Sequence, residues 1–155
     1  MKNLAKITLE LILLVLFTSS AMAQLPELSL PSTVSGAPTT ARFFGGASSD
    51  NQASFASSFD YDQKIDIDVK FEVESSQVNT MGNLYLFILW NNQYFIRVES
   101  GAYEIWDLTL ENLKAAFPAV TLQKNHEFNV VDAVAFGPAG ISDTTLGIYL
   151  AYDSM

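Results

Sequence analysis

The chain has 155 residues, enough for one domain and short for two, and 49% of them are hydrophobic against 16% charged. Its 17 Asp and Glu against 8 Lys and Arg give a net charge of -9, which excludes a nucleic-acid binder that works by neutralising phosphates and a basic patch for anionic lipid. With no Cys and one His, disulfide scaffolds, thiol catalysis and thiolate zinc sites are also excluded, and acid-base work is left to carboxylates and hydroxyls.

At the N-terminus, Lys2 and Lys6 precede an apolar run from Leu9 to Phe17 broken only by Glu10, and Ala21-Met22-Ala23 stands before Gln24. This pattern predicts a secretory signal peptide over residues 1–23, cut after Ala23. The run is too short, and too closely followed by Ser19, Ser20 and Pro26, for a permanent membrane span, and the absence of Cys removes the lipobox route to a lipid anchor. A competing reading takes Ala5 to Leu11 as a type IV pilin-like processing site, with Glu10 fifth after a cut following Ala5. Gly and Phe are missing around that cut, and the helical pattern fails by Pro26. Without Lys2, Lys6 and Glu10 the mature chain carries 6 basic against 16 acidic residues. An acidic, Cys-free exported domain suits the periplasm, the cell surface or the exterior.

Residues 24–40 are rich in Pro, Ser and Thr and read as a flexible leader, so the folded domain is expected over 41–155. There Ile65, Ile67, Val69, Phe71 and Val73 alternate with Asp66, Asp68, Lys70, Glu72 and Glu74, the period of a half-buried strand. Next, Asn83 to Trp90 and Gln93 to Val98 are two β-prone runs joined by Asn91-Asn92, a pair that tolerates the positive φ of a two-residue hairpin turn. In that register Leu89 faces Tyr94, Phe87 faces Ile96 and Tyr85 faces Val98, which makes a core face. The opposite face carries Leu84, Leu86, Ile88, Trp90, Gln93, Phe95 and Arg97, too apolar for ordinary solvent surface. Ala102 to Trp106 reads as a short strand, and Leu110, Leu113 and Phe117 stand at helical spacing before Pro118, predicting one short helix or helical turn. Val120 to Leu122, Glu127 to Ala135 and Thr145 to Tyr152 complete the strands. The expected fold is all-β: a single antiparallel β-sandwich, jelly-roll or immunoglobulin-like, with one short helix, after a cleaved signal peptide.

Phe44-Gly45-Gly46 with Ser49-Asp50-Asn51, the strand Ile65 to Glu74, Trp106-Asp107-Leu108 followed by Leu113, Val120-Thr121-Leu122, and Leu146 to Tyr152 together make a pattern. Over about residues 43–153 it resembles a β-sandwich module recurrent in secreted and surface proteins of Gram-negative bacteria. That module ends its last strand in an aromatic-Gly-Tyr-Arg run, where this chain has Leu150-Ala151-Tyr152-Asp153. The resemblance implies a fold and an exported location; it implies no activity.

His126, between Asn125 and Glu127, reads as a solvated strand-edge residue, and the serines lack the Gly-x-Ser-x-Gly elbow of a hydrolase. Glu104 and Asp107 beside Trp106 are the best pair for glycoside hydrolysis, though Asp107 reads more simply as a cap for the following turn. Asp50, Asn51, Asp60 and Asp62 offer hard oxygens for calcium without the spacing of an EF-hand. No other cofactor is expected, since Gly45-Gly46 lacks a following phosphate-binding Lys. Trp90, Phe95 and Arg97, with Leu86 and Ile88, form the candidate surface: for a protein partner or a second copy, for a sugar ring stacked on the aromatics, or for a loop or the leader that simply covers it. The expected function is therefore an exported, non-catalytic structural or protein-interaction module, self-associating through the 84–97 hairpin face. The alternatives are a carbohydrate-binding module and a pilin-like filament subunit.

Overall fold

The computed structural model describes residues 22–29 and 31–155. The expected signal segment, apart from Met22 and Ala23, and the pilin-like site at Glu10 lie outside the described residues. Eight strands follow in order: β1 Arg42–Ser48, β2 Lys64–Glu72, β3 Met81–Trp90, β4 Gln93–Arg97, β5 Tyr103–Ile105, β6 Phe117–Thr121, β7 Asn125–Ala135 and β8 Gly147–Ser154. They form two antiparallel sheets, one of order β1-β2-β7 and one of order β5-β4-β3-β6 with β8 also paired to β3. Gly82 and Leu84 pair with both β6 and β8, and Phe87 to Leu89 pair with both β4 and β8. A strand has two edges, so β8 runs along one edge of β3 while β4 and β6 share the other.

The period-two pattern of β2 does what alternation requires: Ile65, Ile67, Val69, Phe71 and, just past its end, Val73 are all buried. Their aromatic neighbours join the sheets. Phe71 meets Phe43 edge-on at 5.4 Å and stacks on Phe128 at 5.6 Å, Phe128 meets Phe117 of the other sheet at 5.0 Å, and Phe43 lies 6.1 Å from Tyr152. Two outward acids of β2 each accept a hydrogen bond from β7, although among the described residues the other, buried oxygen of Asp68 has no partner. β7 bulges opposite Ile65 to Asp68, with Ala133 at φ 48°, and the Ala133 N–H donates to the Asp66 carboxylate at 2.8 Å, while Asn129 donates to Asp68 at 3.0 Å.

Two findings change the expected outline. The short helix or helical turn expected before Pro118 is a 3-10 turn at residues 110–112, and a second such turn lies at Ser75–Gln77. Leu108 has φ 66° and Leu113 is already extended, which confines the helical stretch, and Phe117 and Pro118 belong to β6. Within the segment expected as a leader, the Leu28 N–H donates to Phe43 O at 2.8 Å, Pro26 O accepts from Gly45 N–H at 3.0 Å, and Glu27 chelates Arg42 through two hydrogen bonds. The outer edge of β1 is thereby hydrogen-bonded.

β3 and β8 approach so closely at Gly82 that a Cβ there would lie 2.2 Å from Asp153 O and 2.8 Å from Leu122 Cδ1. One of those atoms is backbone, so the strain cannot be relieved by a rotamer change. Gly82→Ala is expected to destabilise the fold by about 1–3 kcal/mol, read as a lower urea midpoint at unchanged slope.

Candidate functional site

The hairpin forms in the register that its turn dictates: Asn91 and Asn92 have φ of 50° and 60°, and Phe87 pairs with Ile96, Ile88 with Phe95, Leu89 with Tyr94 and Trp90 with Gln93. Both of its faces are covered. Tyr85, Phe87 and Ile96 are buried under Trp106, Leu113 and Ala115, with the Trp106 ring stacked 4.9 Å from Phe87 and its Nε1–H donating to Thr109 O at 3.0 Å. The other face, expected as a surface, is turned toward the three-stranded sheet.

There a cavity of about 220 Å³ lies between the sheets. Ile67 and Val131 line it from the three-stranded sheet, and Ile88, Trp90, Phe95 and Tyr103 from the five-stranded one. Phe136, Ile141 and Leu146, from the connection between β7 and β8, complete it together with Ile148. Of the five residues singled out in the sequence, Ile88, Trp90 and Phe95 meet here, with the Trp90 and Phe95 rings 6.4 Å apart and tilted by 36°. Leu86 is fully buried, and Arg97 lies with its guanidinium 5.2 Å above the Phe117 ring. The aromatics thus line a pocket between the sheets that is partly open to solvent, and both rings are half-buried; a strand apolar on both faces gives no sign in sequence of which face the second sheet takes. Among the described residues the buried Trp90 Nε1–H has no hydrogen-bond partner.

Beyond this cavity the five-stranded sheet ends at β5. All three residues of β5 are exposed, and Ile105 (66%), Leu108 (57%) and Leu110 (71%) leave large apolar side chains in water beside Tyr103. The acids next to this strip are engaged: Glu104 with Lys114 Nζ at 2.5 Å, and Asp107 with the N–H and hydroxyl of Thr109 and with Asn112 Nδ2. Asp107 thus makes an Asx turn onto Thr109, the residue before the helical turn that begins at Leu110.

The calcium candidates do not assemble. Asp50 accepts from Ser48, from the Ser54 hydroxyl at 2.6 Å and from the Ser54 N–H, contacts that hold its carboxyl down at about 2, and Asp60 and Asp62 lie in the turn before β2. Among the described residues no group of three or more His, Asp or Glu is placed to hold a metal. His126 accepts the Gln123 N–H at Nε2, 2.9 Å away, and burial lowers its pKa.

A polar cluster on β3 and β8 had no marker in the sequence pattern. Asp153 accepts from Tyr85 Oη at 2.6 Å, from Asn83 Nδ2 and from the Asn83 N–H, and burial followed by this carboxylate pushes the Tyr85 phenol up to about 12. Asn83 and Asp153 are register partners, so the only available signal was a lone acid in an apolar strand. No helix among the described residues is long and apolar enough to cross a membrane. Compared with known protein families, curated proteins and solved structures, the chain matches none.

The two indoles predict opposite responses. Trp106→Phe loses a hydrogen bond and is expected to cost about 1–3 kcal/mol, whereas Trp90→Phe removes an unpaired buried donor and is expected to fall within about 1 kcal/mol of zero by urea unfolding. His126 titrates below its usual 6.5, so the folded state disfavours its protonation. Stability is then full above that value and falls as pH drops through it; the slope between neutral and mildly acidic pH should flatten in His126→Gln, and identical slopes in both proteins would refute the assignment.

Proposed function

We propose that the protein is an exported, non-catalytic interaction module of β-sandwich architecture that self-associates through the β5 edge. The export reading rests on the Lys2 to Ala23 pattern and gains support from Pro26 to Leu28, just past the expected cut, which hydrogen-bonds to β1 as part of the fold. The sandwich reading is supported by the aromatic contacts that link Phe43 and Phe128 to Tyr152 and Phe117 across the sheets. The resemblance to secreted β-sandwich modules belongs to the same reading, since Trp106-Asp107-Leu108 builds the turn beside the exposed strip. The periplasm, the cell surface and the exterior all suit it.

One observation carries the interaction: a strand edge with no partner among the described residues, flanked by the exposed Ile105, Leu108 and Leu110. Unpaired N–H and C=O groups beside apolar side chains are the ingredients of edge-to-edge pairing, and a two-fold contact of β5 with β5 of a second copy would satisfy both. Self-association moves here from the hairpin face because Ile88, Trp90 and Phe95 are turned toward the three-stranded sheet. Glu104 and Asp107, which could have served as a carboxylate pair, are tied to Lys114 and to Thr109 and Asn112.

Intact mass and light scattering on the protein recovered after export test both parts. The expected result is an N-terminus at Gln24 and a dimer at high micromolar concentration that becomes a monomer in the Ile105→Glu, Leu110→Glu double variant. A wild-type monomer, or a dimer indifferent to the substitutions, would remove the β5 reading; an N-terminus at Lys6 would replace the signal peptide with pilin-like processing.

A further inference from the structure

We infer that the cavity between the sheets is a binding site for a small aromatic hydrocarbon group, a ligand separate from any partner at the β5 edge. Its walls expose carbon alone: the Trp90 Nε1–H, without a partner among the described residues, has essentially no accessible surface and offers a ligand nothing to bond. The pocket is partly open to solvent, and its half-buried apolar walls gain by being removed from water, which favours an apolar occupant over a polar one.

Size and wall chemistry narrow the occupant. An apolar cavity of about 150 Å³ takes benzene, so by proportion this one takes a molecule of about nine heavy atoms. Trp90, Phe95, Tyr103 and Phe136 supply four aromatic walls, which suit a ring by offset or edge-on contact better than a flexible chain. A polar substituent inside would lose its hydration with no replacement. The pocket is partly open, and one wall, at Phe136, Ile141 and Leu146, is connecting loop, so a ligand can enter without separating paired strands.

The two indoles give the test its own control, because Trp90 lines the cavity while Trp106 lies on the opposite face of the same sheet, hydrogen-bonded to Thr109. The isotope-labelled exported protein is titrated with α-methylstyrene and with acetophenone, its isostere with a carbonyl in place of the methylene, while the indole N–H signals are followed by NMR. Trp90→Phe assigns the signals by deletion. The expected result is a shift of the Trp90 signal alone and binding of the hydrocarbon about tenfold tighter than the ketone. Val131→Phe, which fills the space from β7, should abolish the shift. No shift at the solubility limit, equal shifts of both indoles, equal affinity for the two compounds, or undiminished binding in folded Val131→Phe would each overturn the inference. The comparison of hydrocarbon with ketone uses wild-type protein, so it decides the matter even where Val131→Phe does not fold.

Discussion

From Leu84 to Leu89 every side chain of β3 is apolar, so a sheet built on this strand cannot turn either face to water without leaving three large side chains exposed. The remaining elements are arranged around that constraint. The three-stranded sheet covers Leu84, Leu86 and Ile88, and the segment from Trp106 to Ala116 folds back over Tyr85 and Phe87. Fully burying residues such as Leu86 and Ile96 contributes about 1.5–3 kcal/mol each, which makes this double covering the main source of stability available to a chain without disulfides or a resident metal among its described residues.

Polar groups then fix positions that apolar contacts leave free to slide. Asp153 receives Tyr85 and Asn83 and so sets the register of β8 on β3, where a slip by one residue would reverse every side chain of the strand. Tyr152 Oη accepts from the Glu74 N–H and donates to Gln77, tying the end of β8 to the turn after β2 and hence to the facing sheet. Asp66 performs a similar service at the bulge in β7. Each of these pairs joins residues distant in sequence, and each keeps a partly buried polar group supplied with a partner.

Period and turn chemistry were legible in the sequence; facing was not. The β2 alternation gave its inner face directly, and Asn91-Asn92 gave the hairpin register because few residues other than Asn and Gly accept two successive positive φ values. The orientation of β3 stayed ambiguous because alternation carries information only when the two faces differ in polarity. That ambiguity left unread that Trp90 and Phe95 face the second sheet, where they line a partly open pocket. The Leu110, Leu113 and Phe117 spacing suggested a helix, yet Leu113 packs against the outer face of the hairpin from extended backbone. Local spacing cannot register such a tertiary demand. The edge strip at Ile105 to Leu110 went unnoticed for a related reason: exposure of an apolar residue depends on which strand ends the sheet.

The pairings of β2 with β7 and of β3 with β8 join residues more than fifty positions apart, while only β3, β4 and β5 close through short connections. Loop closure must therefore precede most of the energetic return, which places folding toward the millisecond-to-second range typical of non-local β topologies. Until β8 arrives, β3 has a bare edge as well as two apolar faces, and a chain held in that state is an open template for strands of other chains. The last strand to dock thus governs the length of time for which the protein is vulnerable to aggregation, and a chaperone that shields β3 would act on that interval and not on the finished fold.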